Sequence, residues 1–162
     1  MRRKNPNQTR HHRLLGHDYA SPGYYFITFG THDGLELLGT YVDDQIKMAD
    51  VGKLSNLILT LPEVYPHLVI DCYVVMPNHV HMLIYLSLEN TSSVSQIVRS
   101  IKGPATSRHR DLGGEGQLWH KGFHDEILKN DQHLEEIEDT SRKIRRDGKT
   151  RNLGDLAGGP GD

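Results

Sequence analysis

Residues 68–86 read LVIDCYVVMPNHVHMLIYL, and the fold follows from how this stretch is divided. Leu68, Ile70, Cys72, Val74 and Met76 alternate with Val69, Asp71, Tyr73 and Val75, so nearly every position on both faces is apolar. That pattern predicts a strand over 68–76 covered on both faces, as in the centre of a sheet. Pro77-Asn78 supplies a tight turn, because proline pre-sets its φ angle and asparagine tolerates turn conformations. A second strand over 79–86 completes a hairpin. His79 and His81 then project to one side of that strand, about 6–7 Å apart along the backbone, while Val80 points into the opposite, apolar layer.

Outward from this hairpin the chain alternates strand and helix signals. Tyr24-Tyr25-Phe26-Ile27-Thr28-Phe29, behind Pro22-Gly23, is rich in aromatic and β-branched residues and predicts a strand. Residues 35–48 predict one or two short edge strands. Asp50 is placed to cap a helix running to about Leu61, with Val51, Leu54, Leu57, Ile58 and Leu61 on one face, ended by Pro62 and Pro66. Ser93 to about Arg110 predicts a helix with Val94, Ile97, Val98 and Ile101 inward, which Gly103-Pro104 threatens to kink. Leu118-Trp119 and Phe123 to Leu128 predict short extended segments, and Asp131 is placed to cap a last helix. The fold class expected is α+β: a ferredoxin-like antiparallel sheet with two to three helices packed on it. The domain reading is a flexible basic arm over 1–20, one domain over 21–146, and a disordered tail over 147–162, where Gly and Asp dominate.

Composition narrows the function classes. At 162 residues one domain can bury a real core. No apolar run approaches the ~20 residues that cross a bilayer, and the basic N-terminal stretch has no apolar segment behind it to form a secretory signal. Cys72 is the single cysteine, so no internal disulfide can form, and a lone thiol suits a reducing, cytoplasmic setting. The net charge of −2 argues against a uniformly basic nucleic-acid binder. Its distribution is uneven, however. Arg2, Arg3, Lys4, Arg10 and Arg13, with His11 and His12, open the chain, Arg99, Lys102, Arg108 and Arg110 form a second group, and Arg142, Lys143, Arg145, Arg146, Lys149 and Arg151 a third. Such groups can neutralise phosphates, or simply form solvated faces.

Two imidazoles on one rigid strand can hold a divalent metal. They can also merely share a solvent-facing surface, and with eleven histidines a chance His-x-His is unremarkable in statistical terms. The surrounding residues add weight. Val75-Met76-Pro77-Asn78-His79-Val80-His81 resembles the His-hydrophobic-His signature of the REP-associated tyrosine transposases and their insertion-sequence relatives. Pro22-Gly23-Tyr24-Tyr25-Phe26-Ile27-Thr28 resembles that family's first strand. The stretch from Val98 to Ala105, with Lys102, resembles its basic helix. Leu118-Trp119 and Phe123-His124-Asp125-Glu126-Ile127 resemble the segment before its last helix. The resemblance runs in order from about Arg13 to Asp139.

What the resemblance implies is a domain that binds single-stranded or hairpin DNA as a monomer or homodimer, cytoplasmic and nucleoid-associated. His79 and His81 would hold Mg²⁺ or Mn²⁺ on the scissile phosphate, with a polar third ligand. Arg99, Lys102, Arg2 and Arg3 are the candidate phosphate contacts. A tyrosine from the last helix would attack and form a 5′-phosphotyrosine link. Here the sequence departs from the family: the tyrosine position reads Thr140, the third-ligand position falls near Ile144, and no tyrosine follows Tyr85. Three readings follow. One is a strand transferase by descent with its nucleophile missing. Another is a nucleic-acid-binding remnant without chemistry. The third is a metal-dependent phosphodiesterase using water, with His120, His124 or Glu126 as general base.

Overall fold

The structure, a computed structural model, describes residues 21–128 together with Glu135, Asp139, Arg142, Lys143 and Arg146, which are helical. Strand β1 (Gly23–Gly30) leads to a small hairpin of β2 (Gly39–Val42) and β3 (Gln45–Met48), then to two short helices, α1 (Ser55–Leu59) and α2 (Leu61–Val64). Strands β4 (Leu68–Val75) and β5 (His79–Leu86) form the long hairpin, followed by helix α3 (Val94–Asp111) and strand β6 (His124–Leu128). The main sheet has the order β4-β5-β1-β6, antiparallel throughout. With helical segments between its first and second strands and between its third and fourth, this is the ferredoxin-like arrangement the sequence predicts.

Helices α1, α2 and α3 share one face of the sheet. The core there gathers Tyr25, Ile27 and Phe29 of β1, Val80, Met82, Ile84 and Leu86 of β5, and Ile97, Val98, Ile101 and Ala105 of α3. A smaller cluster of Cys72, Val74 and Leu83 lies on the other face, with Tyr24, Phe26, Met76 and Leu128 against it. Cys72 is a buried free thiol. Helix α3 begins where the sequence places it. Ser93 accepts from the Gln96 amide at 3.2 Å while the Gln96 side chain accepts from the Ser93 amide at 2.8 Å, a reciprocal cap.

Several expectations change. Strand β4 is an edge strand, not a central one. Its two apolar faces are real, but apolarity on both faces reports coverage above and below, not neighbours to left and right. An irregularity at Asp71 lets Ile70 pair with Ile84 and Cys72 with Leu83, so the alternation changes phase there. Leu68 belongs to the helix-side core before the bulge and Tyr73 and Val75 after it. The edge strands expected over 35–48 pair with each other and not with the main sheet, through a two-residue turn at Asp43-Asp44 with both φ angles positive.

The helix expected from Asp50 to Leu61 is broken into a single turn at Asp50–Gly52, then α1 and α2. Asp50 makes no cap and binds Lys53 instead at 2.6 Å. Pro62 opens α2 rather than ending a helix, a position where its missing N–H costs nothing. Pro104 does not break α3, whose outward Gly103-Pro104 face is exposed. The carbonyl that loses its helical partner there can bond to water. The cap expected at Asp131 and the stripe of Leu134, Ile137 and Ile144 lie outside the described residues, as do the arm over 1–20 and the tail over 147–162. Among the described residues no helix is long and apolar enough to cross a membrane.

Candidate metal centre

The histidine pair sits at the start of β5, on the face away from the helices. Strand alternation sends Val80 into the core with no exposed surface and leaves both imidazoles half-buried on the other side. Their Nε2 atoms converge to 3.0 Å, with the rings nearly perpendicular. Two nitrogens bound to one ion at about 2.0–2.2 Å, at angles near 90–110°, lie about 3.0–3.4 Å apart, so the pair has the spacing a shared cation requires.

The other nitrogen of each ring is also held. His79 Nδ1 lies 2.6 Å from Asn78 Oδ1, and His81 Nδ1 lies 2.8 Å from Thr28 Oγ1. Asn78 is itself fixed. Its Nδ2 donates to Gly34 O at 3.2 Å, and its carbonyl accepts from the Thr31 amide at 2.9 Å. The amide therefore turns its oxygen to His79, and an oxygen can only accept, so His79 carries its proton on Nδ1. In the neutral ring Nε2 is then a bare lone pair. Burial lowers the His79 pKa below its ordinary 6.5, favouring that neutral form. A lone pair aimed at a second imidazole nitrogen at 3.0 Å needs a proton or a metal cation between them. The donor set fits a divalent ion, with outer partners orienting both ligands as such sites usually require. Among the described residues, no group of three or more His, Cys, Asp or Glu side chains is placed to hold a metal, so any further ligand must be of another kind or lie elsewhere.

The lowered pKa has a consequence for stability. Below pH 6.5 the unfolded chain takes up a proton that the folded His79 ring still refuses. Stability should therefore fall as pH drops from about 7 through 6.5 toward the lower folded value. Urea denaturation between pH 7.5 and 5.5 should show a shallower fall in a His79→Gln variant than in the wild type. Equal slopes would mean the ring is not held neutral.

Strand register places other residues around the pair. Thr28 of β1 is the Cα partner of His81 on one side and of His124 on the other, so Val74, His81, Thr28 and His124 form one row across the sheet. Phe26 stacks on His81 with centroids 5.4 Å apart and planes 17° from parallel. Glu126 pairs with Phe26 and shares this face, and both His124 and Glu126 are exposed. Tyr85 also shares it but lies four residues along from His81, packed against Tyr24 at 5.0 Å.

The basic candidates stand elsewhere. Helix α3 packs on the opposite face of the sheet, so Arg99 and Lys102 are not brought together with the histidines. Arg99 is exposed. The Lys102 ammonium binds the carbonyls of His120 at 3.0 Å and Gly122 at 2.5 Å and lies 5.8 Å from the centre of the Phe29 ring. Burial lowers its pKa to about 8. Trp119, edge-on to Phe29 at 5.2 Å, donates to the Lys102 carbonyl at 3.2 Å, so residue 102 ties α3 to the 119–122 loop from both ends. Lys102→Met should cost about 1.5–3 kcal/mol, the usual worth of hydrogen bonds to a charged group. Urea denaturation at pH 7 checks this, and an unchanged midpoint would show that the strut contributes nothing. Arg2, Arg3 and Thr140 lie outside the described residues.

Sequence reading missed Thr28 and Asn78 as partners of the pair. Asn78 could have been found from its place beside His79. Thr28 is 53 positions from His81, and only the register reveals it.

Fold and site together define a ferredoxin-like α+β domain with a convergent histidine pair on one strand. The comparisons agree with that fold. No family model matches the chain. An uncharacterized protein of Haemophilus influenzae is 26% identical over 141 residues, spanning 74% of this chain and 78% of that protein. A solved structure of a REP-associated tyrosine transposase bound to a REP hairpin superposes with a TM-score of 0.57 at 18% identity, covering 79% of this chain and 67% of that one.

Proposed function

We propose that this chain is a cytoplasmic DNA-binding protein of the single-tyrosine transposase type, whose 21–146 domain takes single-stranded or hairpin DNA. His79 and His81 would hold Mg²⁺ or Mn²⁺ against a phosphate. The observation that carries the reading is the convergence of the two Nε2 atoms, each ring braced through its Nδ1, on this sheet. The solved relative in fold, a tyrosine transposase bound to a REP hairpin, supports DNA of that kind as the partner. When bound, the ion would polarise a phosphate oxygen and stabilise charge that develops there. The chain's own residues supply the rest: two imidazoles, Asn78 and Thr28 to orient them, and Arg99, Arg2 and Arg3 as candidate phosphate contacts.

Covalent capture of DNA is not expected. All seven tyrosines occur at or before Tyr85, and the position matching the family nucleophile is Thr140. Tyr85, the tyrosine on the strand of the histidines, lies about 13 Å along it from His81. A water-dependent phosphodiesterase is the second reading, supported by the exposed His124 and Glu126 on the histidine face. Incubation with hairpin-bearing single-stranded DNA and Mn²⁺, resolved on a denaturing gel, tests both. Binding in native gels with intact DNA afterwards fits the first reading. Shortened DNA without attached protein would favour water, and a covalent protein–DNA band would overturn the account of the nucleophile. Failure to bind hairpin DNA at low salt would end the proposal.

A further inference from the structure

We propose that Thr28 is a positioning residue for the metal pair, its hydroxyl donating to His81 Nδ1 when no cation lies between the imidazoles and accepting from it when one does. The inference rests on the reading of His79 and His81 as metal ligands.

The two histidines are braced unequally. Asn78 presents a side-chain carbonyl oxygen held in place by the hydrogen bond its Nδ2 donates to the Gly34 carbonyl, so His79 is confined to the Nδ1–H form. With His79 Nε2 a lone pair and no cation between the rings, the 3.0 Å contact is satisfied only if His81 Nε2 carries the proton and donates it. His81 Nδ1 is then an acceptor, and the group facing it at 2.8 Å must donate. Thr28 Oγ1 can do so.

A cation changes the requirement. Both Nε2 atoms must offer lone pairs, so His81 loses the proton on Nε2 and takes one up on Nδ1. The proton count of the ring is unchanged, but Nδ1 becomes a donor, and the facing group must now accept. A hydroxyl has one donor and two acceptor sites and meets both demands by turning about the Cβ–Oγ1 bond. A carboxylate or a bare carbonyl could only accept, and an ammonium could only donate. The ring has little freedom to settle the matter by rotating away, because Phe26 lies stacked along its face. Thr28 itself stands between Ile27 and Phe29, both fully buried in the helix-side core, so its backbone is held.

The test uses the full chain, with Mn²⁺ affinity read by electron paramagnetic resonance and imidazole forms read by long-range ¹H–¹⁵N spectra. In the metal-free wild type His79 should appear as Nδ1–H and His81 as Nε2–H, and saturating Zn²⁺ should move His81 to Nδ1–H. Thr28→Val, similar in shape and suited to a strand, should lower Mn²⁺ affinity about 10–100-fold, the usual cost of losing an outer partner of a metal ligand. Thr28→Ser should bind like the wild type. Equal affinity in Thr28→Val and wild type would overturn the proposal while leaving the metal pair in place, as would metal-free His81 in the Nδ1–H form. A wild type that binds neither ion would overturn the metal pair and the proposal with it. Should Thr28→Val fail to fold, the wild-type spectra and Thr28→Ser still decide.

Discussion

Replacing His81 by alanine should lower Mn²⁺ affinity by more than about 100-fold, beyond what losing an outer partner costs, because half of the convergent donor pair disappears. His79→Ala should do the same. Neither change should unfold the protein. The rings stand on the face away from the main core, and Val80, Met82 and Ile84, which anchor β5, are untouched. The two variants should differ in one respect. His81 is stacked on Phe26 and bonded to Thr28, so its loss uncovers part of an aromatic ring, whereas loss of His79 releases Asn78 Oδ1 to water. His81→Ala should therefore be the less stable of the two by about 1 kcal/mol, the scale of one buried ring contact. Electron paramagnetic resonance of free Mn²⁺ alongside thermal melts measures both effects. Variants that bind Mn²⁺ like the wild type would place the ion somewhere other than this pair. The same ion should strengthen hairpin-DNA binding in the wild type and leave either variant unaffected.

That the two histidines could be placed together on one strand face from sequence at all reflects how strands work. A period of two is a local property, so His79, His81 and the apolar Val80 between them declare their faces without knowledge of the rest of the chain. The cap at Ser93 and the turn at Pro77-Asn78 are equally local. What stayed hidden depends on contacts far apart in sequence. Thr28 alternates with Tyr24 and Phe26 on one side of β1, and that much is readable, but nothing in the sequence says which row of β5 it will face. The edge position of β4 was hidden for a related reason, since coverage of its two faces carries no information about its lateral neighbours. The break between Gly52 and Ser55 was hidden because the helical stripe of Val51, Leu54 and Ile58 is genuine: all three are buried. The backbone departs from a continuous helix where Gly52 meets Leu38, a contact no periodicity encodes.

That contact makes Gly52→Ala the substitution with the largest expected effect on stability. A Cβ at position 52 would stand 1.9 Å from the Leu38 carbonyl oxygen, 2.7 Å from its carbon and 2.9 Å from its Cα. All three are backbone atoms, so no side chain can swing aside. Nor can Leu38 retreat cheaply. Its amide donates to Pro77 O at 2.8 Å, its carbonyl accepts from Ala49 at 2.9 Å, and its side chain is fully buried. Relief therefore means giving up hydrogen bonds that hang the β2–β3 hairpin from the turn carrying Asn78. We expect a loss of about 3 kcal/mol, the upper end of what overpacking usually costs. Gly30→Ala provides the contrast. It lies opposite His79 in the sheet, yet its Cβ would meet Asn78 O at 3.5 Å and His79 Cβ at 4.0 Å, ordinary contacts. That change should stay within about 1 kcal/mol of the wild type, despite being far closer to the histidine pair. Urea denaturation of the two variants compares them directly, and equal stabilities would show that the segment before α1 can shift away from Leu38 without cost.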